Sequence, residues 1–396
     1  MNINRQRLLS MLEEVNRISA EGEGVTRLAY TAEEDAALDW FVETCDAHSI
    51  ETRRDAMGNV FGTVGNSSGD GGILIGSHLD TVKEGGKYDG ALGVVAGLEV
   101  LMALKENGER LDRPVTVAAF RGEEANILGG TFGSRAFCGL VGFDDTFMEK
   151  LEQTPFTERE IRESAGHEGY SDYLELHIEQ GKSLENSGTE IGIVDAIAGI
   201  RRLDVTVYGE AAHSGTMAMG ERDDALTHAA GLLLEFERIV NSFGAPYVGT
   251  VGTFSVHPNL ANVVPGRVDF VLEVRGPEID MMRRITEQFT EYAEAGHNVK
   301  ISENVEKPPS ALSDVIIEYG KSVCREAGVR YEVMMSGANH DANSLSSVMN
   351  SGLIFIPCLN GVSHNPGEYA APEDIVRGAE VLLGTVMKLQ GNNCGQ

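Results

Sequence analysis

Ile73-Leu74-Ile75-Gly76-Ser77-His78-Leu79-Asp80 decides how this chain reads. An apolar run of strand length ends abruptly on a histidine and an aspartate. The pattern returns along the chain. Val115-Thr116-Val117-Ala118-Ala119-Phe120 leads into Arg121-Gly122-Glu123-Glu124, and Tyr173-Leu174-Glu175-Leu176 leads into His177. Leu353-Ile354-Phe355-Ile356-Pro357 leads, after a short loop, into His364. A further segment, Gly85-Gly86-Lys87-Tyr88-Asp89-Gly90, follows the first. Apolar runs of this length, alternating with helical patterns, read as buried strands of an α/β sheet. Such sheets build their sites beyond the carboxyl ends of their strands. His78, Asp89, Glu124, His177 and His364 are therefore expected to converge on one crevice. Imidazole nitrogen and carboxylate oxygen are the donors that zinc-like metals accept. These ligands are too many for one open tetrahedral ion and suit two ions sharing a carboxylate.

Around these segments, residues Asn4 to Ser19 and Thr31 to His48 read as helices, the second with Thr31 as N-cap and Glu34 at the capping-box position. Val60 to Val64 reads as a strand, Gly65 to Gly72 as a turn and Gly90 to Lys105 as a small-residue helix. Near Gly199 the pattern changes. Arg202 to Tyr208 alternates as a strand, Asp223 to Asn241 is helical, and Tyr247 to Val256 and Arg267 to Val274 are strands. Glu278 to Ala295 is helical and Asn298 to Asn304 a strand again. That order, β-α-β-β-α-β, is the ferredoxin-like arrangement. Pro308-Pro309 marks the exit. The expectation is a discontinuous catalytic domain, 1–199 and 310–396, interrupted by a lid at 200–309.

With 396 residues the chain is long enough for two cores. No apolar stretch reaches membrane-spanning length. The N-terminus lacks the apolar core and cleavage site of a signal peptide. The five cysteines (Cys45, Cys138, Cys324, Cys358, Cys394) are scattered without metal or redox spacing, and read as reduced thiols of a cytoplasmic protein. A formal net charge of -29 argues against nucleic acid and against anionic membranes as partners.

His78 and Asp80 lie two apart at a strand end, so their side chains point the same way. A ligating histidine is usually oriented by a carboxylate on its other ring nitrogen. His78 is accordingly read as a ligand and Asp80 as its partner. Glu123 and Glu124 are adjacent, so their directions diverge: one can bind metal while the other faces the attacking water. Burial and like charge raise a carboxyl pKa, which is the tuning that a general base needs.

Ser77-His78-Leu79-Asp80-Thr81-Val82, Gly86-Lys87-Tyr88-Asp89-Gly90-Ala91-Leu92-Gly93, Leu176-His177-Ile178-Glu179-Gln180-Gly181 and Ser363-His364-Asn365-Pro366 fall in an order that resembles the hydantoinase/carbamoylase amidase family, within the clan of two-metal aminoacylases and exopeptidases. The likeness runs from about Ala29 to the end. It implies a mixed central sheet in the catalytic domain and an inserted ferredoxin-like lid that also dimerises. It implies Asp89 as the bridging ligand, Glu124, His177 and His364 as further ligands, and Glu123 as the base. Two divalent ions per subunit are implied, zinc or manganese, with cobalt or nickel also accepted by such donors.

In the lid, His213, within Glu210-Ala211-Ala212-His213-Ser214-Gly215-Thr216, resembles the family histidine that reaches the substrate, commonly in the partner subunit's site. Asn262 and Arg275 match the family's carboxylate-binding pair, and an arginine fork suits a carboxylate. Gln180, beside His177, is expected to bind the ureido or amide group. His340 and Asp341 match a segment expected to line the site.

The implied activity is hydrolysis of N-carbamoyl-L-amino acids to amino acid, CO2 and ammonia by a homodimer. Allantoate amidohydrolase and β-ureidopropionase are its nearest rivals. An aminoacylase, a dipeptidase or a non-catalytic binding protein of the same fold is more distant. The chain departs from the family pattern after the glutamate pair, where Ala125-Asn126-Ile127-Leu128 replaces Gly-x-Arg-Phe, and at Met217-Ala218-Met219, Glu273 and Asn339. None of these removes a proposed metal ligand. The first two bear on substrate identity.

Overall fold

The computed structural model describes residues 2–65, 71–108 and 110–391. The chain forms two compact units, Met1–Asp195 with Ala311–Gln396, and Ala196–Ser310.

Among the described residues, the larger unit is organised by a mixed sheet of nine strands. Four neighbouring strands, Val115–Phe120, Gly72–His78, Tyr170–Ile178 and Asn350–Ile356, run parallel. Their residues are buried almost throughout, as expected for strands covered on both faces. Val60–Val64 continues the sheet antiparallel on one side and Ile191–Ile197 on the other. The register sets His78 level with Phe120, and His177 level with Phe355. All four carboxyl ends therefore open at one edge, and the chain segments just beyond them carry the remaining candidate ligands.

Helix Ala91–Glu106 is buried on every side as far as Leu104, apolar there except for Glu99, which pairs with Arg7, and packs against these strands. That is the signature of a helix enclosed in a core. Its small residues permit the approach: a Cβ on Gly93 would lie 2.6 Å from the carbonyl oxygen of Leu176. Helices Arg5–Asn16 and Pro372–Gln390 pack against it in turn.

The expected turn over Gly65–Gly72 lies mostly outside the described residues, and one local expectation changes. Helix Ala32–Ala47 starts where the capping pattern placed it, but Thr31 makes no side-chain cap and donates instead to Leu28 O. Glu34 accepts from Tyr30 N (2.6 Å), from Gly122 N (3.0 Å) and from Arg121 Nε (3.0 Å). A residue that reads as a local cap is thus a long-range tie to the segment that bears Glu123 and Glu124. Its burial, offset by the neighbouring Arg121, leaves its carboxyl pushed up to about 7.

The smaller unit contains strands Gly199–Tyr208, Val248–His257, Arg267–Gly276 and Val299–Lys307 and helices Ala225–Phe243 and Ile279–Gly296, in the order β-α-β-β-α-β. Numbered within the unit, the strands lie in the order 4-1-3-2, every neighbour antiparallel. Alternation along Arg267–Gly276 turns Val268, Phe270, Leu272 and Val274 inward against Phe236, Ile239, Ile285 and Phe289 of the helices. Period-two burial on strands and an apolar stripe on each helix close this core. Val248–His257 is an edge strand with Val248 and Phe254 exposed.

Candidate metal centre

The strand ends bring His78, Asp89 and His177 together, and likewise Asp89, Glu124 and His364; within each group the ligand atoms lie within 4.8 Å of one another. Asp89 belongs to both. Its Oδ1 is 3.1 Å from His177 Nε2 and 3.5 Å from His78 Nε2, while its Oδ2 is 3.3 Å from His364 Nε2. Glu124 Oε1 lies 3.2 Å from His364 Nε2. One carboxylate thus turns one oxygen to each group.

The donor atoms fit divalent cations. His78 Nδ1 is 3.0 Å from the backbone carbonyl of Asp80, and His177 Nδ1 is 2.9 Å from that of Ile178. A carbonyl can only accept, so each Nδ1 carries a proton, and Nε2, facing Asp89, is the ring atom left to take a cation or a second proton. Gly90 N–H, 3.1 Å away, donates to His177 Nε2 and agrees with that tautomer. Gly90 also has to be glycine. Its φ is +66°, and a Cβ would lie 2.5 Å from the His78 ring.

The charges point the same way. Burial alone would lower His78 and His177, but Glu123, Asp80 and Asp89 hold the first well above its usual value, and Asp89 and Glu175 raise the second. His364, between Asp89 and Glu124, is pushed up to about 10. Burial opposes ionisation of Asp89, yet His177, His364 and His78 bring it well below the ordinary carboxylate range. A field that binds protons this tightly also draws cations, which compete for the same atoms.

Glu123 stands apart from the ligand groups, with Oε2 3.7 Å from His78 Nε2. Burial pushes its carboxyl well above the ordinary value. His78 opposes this, while Asp341, Glu124 and Asp80 add to it. Asp80 does more than the sequence reading assigned to it. Its carboxylate accepts from Glu123 N (3.1 Å) and Glu124 N (3.0 Å), whereas the short contact to His78 Nδ1 comes from its backbone carbonyl. The side chain is a clamp on the glutamate pair first and lies 3.5 Å from the His78 ring. The carbonyls of the same loop are held by Asn126, whose Nδ2 donates to Gly122 O and Glu124 O.

Gln180 Nε2 donates to Asp89 Oδ2 (2.7 Å), while its buried Oε1 has no hydrogen-bond partner among the described residues. His340 is buried, with its ring 4.5 Å from that of His177 and its Nε2 3.0 Å from Ser336 Oγ. Asp341 is fully buried, and burial with the nearby Glu175 pushes it up to about 7.

Sequence reasoning missed Glu368, Ser363 and Asn126. Ser363 Oγ lies 2.8 Å from Asp89 Oδ2, and Glu368 bonds the backbone of Asp89. The only signal for Ser363 and Glu368 was their nearness to His364. Asn126 lay in a segment noted only for departing from the family pattern.

Within the smaller unit, strand Ala212–His213 pairs with Val263–Val264, so His213 lies beside Asn262. Ser214 N donates to Asn262 O (3.0 Å). Both segments leave the sheet where Tyr208, Arg267 and His257 are paired. Arg275 lies at the other end of strand Arg267–Gly276, about 26 Å along it. There its Nε donates to Glu273 Oε1 (2.7 Å).

The sequence pattern of peptidase family M20/M25/M40 matches residues 74–388. The chain is 33% identical to an N-carbamoyl-L-amino-acid amidohydrolase of Pseudomonas sp. (strain NS671), covering 98% of this chain and 99% of that one. It is 35% identical to the allantoate amidohydrolase of Bacillus subtilis (strain 168), covering 94% of each. Among solved structures, a hydantoinase/carbamoylase family amidase from Burkholderia multivorans superposes with a TM-score of 0.86 at 30% identity over 98% of both chains. The chain therefore belongs to peptidase family M20/M25/M40, in the hydantoinase/carbamoylase group, and is a metal-dependent amidohydrolase.

Proposed function

We propose that the protein cleaves the carbamoyl C–N bond of N-carbamoyl-L-amino acids, giving the amino acid, CO2 and ammonia. The observation that carries this reading is the pair of ligand triads sharing Asp89, with the proton-affine Glu123 beside them. The relatives named above act on carbamoyl amino acids and on allantoate, both ureido compounds.

Two divalent cations, held by His78, Asp89 and His177 and by Asp89, Glu124 and His364, supply Lewis acidity to the scissile carbonyl and to the attacking water when bound. Glu123 takes the proton of that water and returns it to the departing nitrogen. Its raised proton affinity lets it keep the proton between the two steps. Gln180 offers its unpaired Oε1 to an N–H of the ureido group, an acceptor suited to a terminal NH2. His213 donates to the developing oxyanion. Asn262 and Arg275 hold the substrate carboxylate, with Arg275 exchanging part of its pairing to Glu273.

We assign His213 with Asn262 to one subunit and Arg275 to the other, across a homodimer formed through Ala196–Ser310. A substrate of amino-acid size spans only a few ångströms, whereas Arg275 and the His213 segment belong to opposite ends of one sheet. The edge strand Val248–His257, with Val248 and Phe254 exposed, is the surface assigned to the partner.

The test is ammonia release from N-carbamoyl-L-amino acids, N-carbamoyl-β-alanine and allantoate, using chelated protein reloaded with manganese, zinc, cobalt or nickel. Metal-dependent turnover of a carbamoyl amino acid, lost in Glu123→Gln, is the expected result. Turnover of allantoate alone replaces the substrate assignment, and unchanged turnover in Glu123→Gln overturns the mechanism.

A further inference from the structure

The two triads differ in how they are built. His78 and His177 are 1% exposed and sit in strands, so the sheet itself fixes them. His364 sits in a loop at φ +54° with its side chain 49% exposed. Something other than packing has to hold that loop against Asp89.

Glu368 does so from beneath. It is 3% exposed. Its Oε1 accepts from the backbone N–H of Tyr88 (2.7 Å) and of Asp89 (3.1 Å), and its Oε2 lies 3.1 Å from Ser363 Oγ. Ser363 Oγ in turn lies 2.8 Å from Asp89 Oδ2. One carboxylate therefore joins the backbone that presents Asp89 to the loop that presents His364, across 279 positions of sequence. A buried carboxylate persists only where hydrogen bonds replace its water: Oε1 has two backbone donors, and Oε2 shares the single proton of the Ser363 hydroxyl with Asp89 Oδ2. The room for it comes from Gly86: a Cβ there would fall 2.0 Å from Glu368 Cδ.

We propose that Glu368 is a positioning residue for the second triad, setting the separation of Asp89 and His364 and thereby the affinity of the more exposed cation site. The proposal rests on the two-triad reading given above. It assigns Glu368 no contact with substrate. It also makes the effect unequal, because the first triad depends on Glu368 only through Asp89, whereas the second depends on it through both Asp89 and the His364 loop.

The test uses the full chain, stripped with a chelator and titrated with manganese(II). Metal per chain and the affinity of each site are read by elemental analysis and calorimetry, and ion–ion coupling by electron paramagnetic resonance. Wild type is expected to take two ions with a coupled spectrum. Glu368→Ala is expected to keep one site and to weaken the other about 10–100-fold, the range for groups that orient metal ligands. Its kcat then falls at limiting metal and recovers as metal is added, with KM unchanged. Glu368→Gln keeps an oxygen toward Tyr88 N and Asp89 N, and is expected to restore most of the lost affinity. Gly86→Ala, which displaces the Glu368 side chain, is expected to reproduce the alanine variant. Two wild-type affinities in Glu368→Ala, or equal weakening of both sites, overturns the proposal alone. Fewer than two ions bound by wild type overturns the reading of the site, and this proposal with it.

Discussion

Asp80→Asn separates two jobs that one aspartate can do. In the structure both carboxylate oxygens are engaged, one by Glu123 N–H and one by Glu124 N–H, at 3.1 and 3.0 Å. An asparagine offers one oxygen and one NH2, so one of the two backbone donors then faces another donor. A hydrogen bond to a charged group contributes about 1.5–3 kcal/mol. If that loss falls on the placement of Glu123, kcat drops roughly 10- to 100-fold, since about 1.4 kcal/mol is a factor of ten. The proton on His78 Nδ1 is held by the Asp80 backbone carbonyl, which the substitution leaves in place. Metal affinity at the His78 site is therefore expected to stay within a few-fold of wild type. Steady-state kinetics at saturating metal give kcat and KM, and calorimetric titration of the stripped protein gives the affinity. A wild-type kcat would refute the clamp. A metal affinity reduced 10–100-fold with kcat restored by excess metal would show instead that the carboxylate serves mainly to orient His78.

Mixing inactive His213→Ala and Arg275→Ala proteins is expected to restore activity on subunit exchange, to about a quarter of wild type, because half the dimers are then mixed and each mixed dimer keeps one complete site. Sustained inactivity of the mixture, with mixed dimers present by native mass spectrometry, would overturn the division between subunits. Burial pushes the Asp55 carboxyl up to about 6, against the opposing bonds from Asn59. Its folded pKa lies above its unfolded value, so its contribution to stability is present below about pH 4 and is lost as pH rises through about 6. Melting curves of Asp55→Asn are expected to lack that component of the pH dependence, whatever their absolute level, and an identical dependence contradicts the assignment. Cys45, Cys138, Cys324 and Cys358 are free and buried, with Cys45 and Cys358 pushed up to about 12 and Cys324 to about 11 by burial. In a Cys394→Ser chain, a thiol reagent is expected to modify none of these four before denaturation and all of them after it.

Much of the candidate site was legible because its signal is local. A strand of the length of Ile73 to Gly76 announces its own end, and the residue that follows lies at the sheet edge whatever else the chain does. The ligand atoms at His78, Asp89, Glu124, His177 and His364 all follow that rule or lie close after it. The β-α-β-β-α-β order was legible for the same reason, since alternation and helical periodicity repeat every few residues. Reading partners from neighbours was incomplete. Thr31 and Glu34 have the spacing of a capping box, yet Glu34 is drawn to Arg121 and Gly122, 87 and 88 positions away. Asp80 has the spacing of a histidine partner and lies 3.5 Å from the His78 ring, but its carboxylate also takes two backbone donors that the spacing did not announce.

The sequence by itself determined the element types, the strand ends that carry the donors and the chemical kind of each donor, because these depend on side-chain identity and short-range periodicity. Only the tertiary structure decided that Asp89 turns one oxygen to each triad, that Asp80 clamps the Glu123–Glu124 backbone and that Glu368 ties Asp89 to the His364 loop. The physical reason is that a buried polar group must find a partner, and the partner is set by which backbone groups the packed sheet leaves open, not by their distance along the chain.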